Sequence, residues 1–175
     1  MLAMLEDDSL HEVCGATWVK VDRLLTAAHC VKGAGPLVLV KSGSEELLSA
    51  VERVDEGKDL ALLKVAAAPI HEVASFGPEP AVGDRLAAQG PMLGMHGVYM
   101  EGIVSRPRVT YNDGDINMLL EMPVLPGMSG SGVFDQKGRL VGVVLRMTPG
   151  FAWVSQIDII REFLSAAPAQ DAGVD

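Results

Sequence analysis

Three short segments of this chain carry residues able to do nucleophilic chemistry. Gly127-Met128-Ser129-Gly130-Ser131-Gly132 sets a serine among glycines. A nucleophilic hydroxyl must stand exposed on a tight turn, and flanking glycines allow both that turn and the close approach of a substrate backbone. The N–H groups of Gly127 and Ser129 are candidates to converge on a developing oxyanion, worth a few kcal/mol of transition-state stabilisation. Thr26-Ala27-Ala28-His29-Cys30 ends an apolar run on an imidazole, the side chain suited to taking a proton at neutral pH. Lys58-Asp59-Leu60-Ala61-Leu62-Leu63-Lys64 opens an apolar run on a carboxylate, which needs a partner once partly buried. A histidine Nδ1–H is a suitable partner, because the carboxylate fixes the tautomer and stabilises the imidazolium. Each segment also has a plain reading. Gly-x-Ser-Gly occurs in ordinary turns, a lone histidine is commonly a hydrogen-bonded core residue, and an aspartate often caps a strand start.

The elements that must position these groups read as short strands. Residues 15–21 and 23–28 form two strands joined at Asp22, and 37–40 is a β-branched apolar run before the turn at 41–44. Further strands are expected at 46–55, 60–66, 84–89, 97–105, 116–122, 131–135, 139–146 and 151–155. The turn Asp135-Gln136-Lys137-Gly138 signals a hairpin. Many short strands at even spacing favour an all-β barrel or sandwich over βαβ units. Gly77-Pro78-Glu79-Pro80 resists helix and strand interior and is the expected linker. The expected helix spans 156–166, where Ile157, Ile160, Phe163 and Leu164 follow helical spacing behind a capping Ser155. The expected organisation is an N-terminal segment (1–10), a first unit (11–76), the linker (77–80), a second unit (81–155), the helix, and a flexible tail (167–175).

Composition narrows the function. The 175 residues carry a net charge of −9 without a basic cluster, which argues against nucleic acid and against an anionic membrane surface as partners. Apolar residues make up 49% of the chain but lie in short runs, far from the roughly 20 consecutive residues of a membrane span. The start, Met1 to Asp8, is acidic where an export signal would be basic and then apolar, pointing to an intracellular or particle-associated location. Cys14 and Cys30 fit no Cys-x-x-Cys pattern, and the four histidines no His-x-x-x-His pattern, so a metal site has little support.

In their order, Thr-Ala-Ala-His-Cys, Asp-Leu-Ala-Leu-Leu and Gly-x-Ser-Gly-Ser resemble the chymotrypsin/trypsin clan of serine peptidases, and most nearly its HtrA/Deg branch. His29 precedes Asp59 by 30 residues and Asp59 precedes Ser129 by 70, short separations similar to that branch. Residues 82–90, 102–105, 126–131 and 139–144 resemble its second-barrel signatures, so the likeness runs from about 12 to 165.

The resemblance implies two six-stranded antiparallel β-barrels with a cleft between them. His29 and Asp59 would come from the first and Ser129 from the second. It implies a serine endopeptidase with His29, Asp59 and Ser129 as catalytic residues and an oxyanion hole at Gly127 and Ser129. A polypeptide would be the substrate, with no cofactor and no metal. Pro123 stands where trypsin-like members carry the base of the primary pocket. The pocket walls implied are Val124, Leu125, Val144, Leu145, Met147, Gly150 and Ala152, suited to small or medium apolar side chains, with Arg146 able to intrude. Met128 stands where trypsin-like zymogens have aspartate, which implies activity that does not depend on a newly cut N-terminus. Cys14 and Cys30 stand where trypsin-like members have a disulfide and most HtrA members do not, so a disulfide and two reduced thiols both remain open. The chain ends too soon for the PDZ domain usual in HtrA proteins. The alternative is a catalytically silent or self-processing trypsin-like subunit of a larger protein assembly, such as a virus particle.

Overall fold

Alternation of buried and exposed side chains along short β-branched runs makes most of this chain strand. A computed structural model describes residues 2–6, 9–33, 35, 37–42, 45–66, 72–110 and 114–166, with backbone alone over 2–6 and 9–13. The strands are β1 (Leu2–Glu6), β2 (Ser9–Cys14), β3 (Thr17–Lys20), β4 (Arg23–Ala27), β5 (Leu37–Ser42), β6 (Glu45–Asp55) and β7 (Leu60–Val65) in the first half. The second half holds β8 (Arg85–Met92), β9 (Met95–Thr110), β10 (Ile116–Glu121), β11 (Gly132–Phe134), β12 (Leu140–Thr148) and β13 (Phe151–Gln156), then helix α1 (Ile157–Ser165). None of the described helices is long and apolar enough to cross a membrane.

The second half closes into a six-stranded barrel in the order β10-β13-β12-β11-β8-β9. The first half does not. It forms a seven-stranded sheet, β2-β1-β5-β6-β7-β4-β3, and among the described residues no ladder joins β2 to β3. This corrects the expectation of two six-stranded barrels. The two edges are separated by Gly15 and Ala16, and at that corner the Gly15 N–H leaves the sheet to donate to the Ser129 carbonyl at 2.7 Å. Within 1–10, expected as a segment outside the first unit, Leu2–Glu6 forms β1, and Ser9 and Leu10 begin β2. The hairpin β8–β9 is longer than expected, with β9 running from 95 to 110.

Two apolar clusters fill the molecule, and β12 belongs to both. Val141 and Val144 face the barrel interior with Leu86, Val104, Met118 and Val154. Leu140, Val143 and Leu145 point the other way and join Leu24, Leu25, Leu60 and Leu63 of the first sheet. Strands β4 and β7 are buried along nearly their whole length, as expected of strands covered on both faces.

Helix α1 crosses back onto the first sheet. Its buried face, Ile157, Ile160 and Phe163, follows the 3.6-residue period. The Arg53 guanidinium lies over the Phe163 ring at 4.5 Å and also donates to the Ala166 carbonyl, while Lys58 pairs with Glu162 at 3.5 Å. Ser155 is not the cap. Gln156 occupies that position without a side-chain bond, and Ser155 is buried at the end of β13. The expected flexible tail, 167–175, lies outside the described residues.

Candidate active site

Strand register brings His29 and Asp59 together. In the β4–β7 ladder Ala27 stands opposite Leu60, so the residues just beyond, 28–29 and 59, meet at the same end of the sheet. The chain there turns through a single 3-10 turn, Ala28–Cys30. The Asp59 carbonyl accepts the Ala28 N–H at 3.1 Å. Its Oδ1 accepts the His29 backbone N–H at 3.0 Å, and its Oδ2 lies 2.9 Å from His29 Nδ1. One carboxylate therefore fixes both the backbone and the ring of His29. Asp59 reaches this position from a left-handed conformation, φ 50°, which aspartate tolerates better than most side chains. The Asp59 side chain is 14% exposed and that of His29 43%, so the ring opens towards solvent while the carboxylate sits behind it.

Ser129 lies on the loop between β10 and β11, held on several sides. Met128 is fully buried in the barrel core beneath it. Gly130 N–H donates to Val144 O at 2.7 Å, Ser131 N–H to Met128 O at 3.0 Å, and Gly15 N–H to Ser129 O at 2.7 Å. Gly127 and Gly130 adopt φ of 104° and 79°. A Cβ on Gly130 would stand 2.2 Å from Thr26 Oγ1 and 2.3 Å from Gly15 O, so glycine is required there twice over. The turn of the β8–β9 hairpin supports the same loop, because Leu93 N–H donates to Pro126 O at 2.9 Å.

These segments line one cleft of about 510 Å³, which brings His29, Asp59 and Ser129 to a common space. Val124, Leu125, Val144, Leu145 and Met147 line it as well, joined by Pro126, Met128 and Arg146. Three residues placed in the pocket by the family resemblance are elsewhere. Pro123 and Gly150 are exposed outside the cleft, and Ala152 is fully buried in the barrel core. Pro123 lies in the loop that follows β10 and Gly150 in the turn between β12 and β13, while Ala152 pairs with Met147 but faces the barrel interior. The Ser129 hydroxyl donates to the Leu145 carbonyl at 3.3 Å rather than to His29. Arg146 forms an ion pair with Asp115 at 3.2 Å and lines both this cleft and a second cavity behind His29 and Asp59. Sequence reasoning missed Asp115, which carries no motif. It also missed the anchoring role of Met128, though an apolar residue between two turn glycines was a usable signal.

Cys14 and Cys30 are joined as a disulfide. Cys14 precedes Gly15, the donor to Ser129, and Cys30 follows His29. The bridge thus links the backbone that holds the serine loop to the backbone that carries the histidine.

A family model described as the trypsin-like peptidase domain matches residues 14–143. The chain belongs to the trypsin-like peptidase family. Similar proteins include the serine protease Do-like HtrB of Bacillus subtilis, 28% identical over 131 residues, which span 69% of this chain and 29% of that protein. A probable periplasmic serine endoprotease DegP-like of Hahella chejuensis is 31% identical over 139 residues, 75% of this chain and 29% of that one. This trypsin-like peptidase chain therefore spans less than a third of the length of these relatives. Among solved structures, the active form of the Rv3671c protease from M. tuberculosis superposes with a TM-score of 0.85 at 22% identity, covering 98% of this chain and 82% of that one. The HtrA-type protease AlgW, solved with a decapeptide, gives 0.81 at 21% identity, covering 89% of this chain and 51% of the other. At such identities the structural likeness shows the fold.

Proposed function

We propose that this trypsin-like peptidase is a serine endopeptidase working through an acyl-enzyme, with Ser129 as nucleophile, His29 as general base and Asp59 as its orienting carboxylate. The observation that carries the reading is the double hold of Asp59 on His29, through backbone N–H and Nδ1, facing the cleft that Ser129 lines. With Nδ1–H committed to Asp59, Nε2 is the nitrogen left to accept the serine proton.

In the resting arrangement the Ser129 hydroxyl is parked on Leu145 O. Catalysis requires that hydrogen bond, worth about 1 kcal/mol, to be exchanged for one to His29 Nε2. Ser129 Oγ then attacks the scissile carbonyl carbon while its proton passes to Nε2, and the N–H groups of Gly127 and Ser129 receive the oxyanion. His29 returns the proton to the leaving amine. Water, activated by the same imidazole, then hydrolyses the acyl-enzyme and restores Ser129. The substrate is a polypeptide. Val124, Leu125, Val144 and Met147 give the pocket an apolar lining, which suits a small or medium apolar side chain before the cut.

The test is labelling with a fluorophosphonate followed by a peptide library. The expected result is one label per chain on Ser129, lost in Ser129→Ala, and cleavage after apolar residues. No label on a folded chain would favour a silent subunit. A label without turnover of any peptide in trans would favour self-processing. Cleavage dominated by lysine or arginine would overturn the pocket assignment.

A further inference from the structure

Hydrolysis leaves two sulfur atoms beside His29 unused. Cys14 Sγ, Cys30 Sγ and a ring nitrogen of His29 all lie within 4.8 Å of one another. In the oxidised chain the two sulfurs are committed to each other. Once that bond is reduced they become two soft ligands beside an imidazole, a donor set that suits zinc. We propose that the reduced chain binds one Zn2+ through Cys14, Cys30 and His29, and that the metal switches the hydrolase off by occupying the imidazole lone pair. The inhibitory half of this proposal rests on the reading of His29 as general base; the binding half does not.

The geometry requires small movements. A tetrahedral zinc with Zn–S near 2.3 Å and Zn–N near 2.0–2.1 Å spaces its ligand atoms about 3.5–3.8 Å apart. The three donors already fall inside 4.8 Å, and breaking the disulfide releases the sulfurs to separate by side-chain rotation, with their Cα atoms 6.0 Å apart. Asp59 prepares the third ligand. Its Oδ2, 2.9 Å from Nδ1, keeps that nitrogen as the donor, so the metal is assigned to Nε2, where such a carboxylate makes the bound imidazole more basic. Cys14 and Cys30 are 3% and 2% exposed, so a metal enters from the open side of His29, where water completes the coordination.

The redox step balances with a trialkylphosphine. The disulfide takes up two electrons and two protons to give two thiols, and the phosphine gains the oxygen of one water to become its oxide. Metal binding then releases the two thiol protons.

The test compares oxidised and phosphine-reduced full-length chain, with Co2+ as a spectroscopic probe and Zn2+ as competitor. The expected result is one Co2+ per reduced chain with thiolate-to-cobalt absorption in the near ultraviolet, displaced by Zn2+ and absent from the oxidised chain. The Ser129→Ala chain should bind equally, which frees this readout from activity, and His29→Ala should weaken binding at least tenfold. Zn2+ should block fluorophosphonate labelling of the reduced chain alone, and a chelator should restore it. The double variant Cys14→Ser/Cys30→Ser should bind no cobalt and label regardless of zinc. Equal cobalt uptake by the oxidised chain, no uptake on reduction, or undiminished uptake in His29→Ala would each overturn the proposal. So would uptake that occurs only after the reduced chain has lost its near-ultraviolet circular dichroism. Absence of labelling in every state, with cobalt binding as expected, would instead overturn the hydrolase reading and leave the metal site standing.

Discussion

The backbone N–H of Gly15 donates to the carbonyl oxygen of Ser129 at 2.7 Å. This single bond spans the two halves of the molecule, from the corner between β2 and β3 to the loop that carries the serine. Thr26 reinforces it, since its hydroxyl donates to the Gly15 carbonyl at 2.8 Å. The serine loop is thus positioned from outside its own barrel.

A methyl group at that corner tests the link. In Gly15→Ala the new Cβ would stand 2.2 Å from Ser131 Oγ and 2.9 Å from the Ser131 backbone, closer than any side-chain rotation can relieve. We expect a loss of about 1–3 kcal/mol in stability. We also expect kcat/KM to fall roughly 10- to 100-fold, because the nucleophile is displaced by a fraction of an ångström or more. Urea titration and peptide kinetics read the two effects separately, and unchanged kinetics would show that the corner does not set the serine.

Asp59→Asn separates the two roles of the carboxylate. Asparagine tolerates the left-handed backbone, and its Oδ1 can still accept the His29 backbone N–H. Its amide group, however, donates towards Nδ1 and imposes the wrong tautomer on the ring. The expected outcome is a folded protein with kcat lowered by about 10³- to 10⁴-fold. Asp59→Ala should lose activity and stability together, because the Ala28–Cys30 turn loses its anchor. Retention of more than a tenth of wild-type kcat in Asp59→Asn would remove Asp59 from the mechanism.

Met128→Ala probes the floor of the serine loop. The side chain is fully buried against the barrel core, so truncation leaves a cavity and should cost about 2–5 kcal/mol. Met128→Leu, close in volume, should recover most of the stability and the activity. Thermal melts of the two variants, run beside fluorophosphonate labelling rates, give the comparison.

Acid sensitivity should be traceable to the β11–β12 hairpin. Partial burial pushes the Asp135 carboxyl up, but the Arg139 guanidinium and the backbone N–H groups of Arg139 and Lys137 outweigh it and hold the group below the usual carboxylate range. The folded state therefore binds this proton less readily than the unfolded chain. The resulting stability is present above about pH 4 and is lost as pH falls further, through the folded value. Asp135→Asn should cost about 1–2 kcal/mol at pH 7, with the difference from wild type shrinking below about pH 4. Asp55 and Asp158 are also held low: burial raises each, and their bonds to Lys58 and Arg108 respectively more than offset it. The variant thus retains part of the acid limb. Denaturant midpoints measured from pH 3 to 7 would show a constant gap if this account is wrong.

Much of the second half was legible in the sequence because its strands alternate cleanly and its turns use glycine and aspartate. The Asp135–Gly138 turn and the helix behind β13 follow this rule. The first half was harder. Its N-terminal strands begin in an acidic stretch without a hydrophobic period, and their pairing is decided by partners far along the chain, such as Val40 and Leu39 opposite β1. Closure of the first sheet could not be read from strand count, because strand count does not say which edge strands pair. At the site, residue types and spacing singled out His29, Asp59 and Ser129, and register explains why the first two meet. The pocket walls were transferred by position, which carries neither the path of the loops that hold Pro123 and Gly150 nor the strand phase that turns Ala152 into the barrel. Asp115 had no local signal at all, since its partner, Arg146, lies 31 residues away.

Helix α1, formed by the last described stretch of chain, rests on a sheet built from the first. A nick at the exposed Ala81–Val82 bond would therefore leave the two pieces clasped, each supplying greasy surface the other lacks. Neither piece would survive transplantation on its own. The serine-bearing fragment would lose the hold of Arg53 and Lys58 on Phe163 and Glu162, and the histidine-bearing fragment would lose Leu140, Val143 and Leu145 from its core. Evolution can lengthen the chain at that exposed bond at little risk, but it can part the halves only by dismantling both.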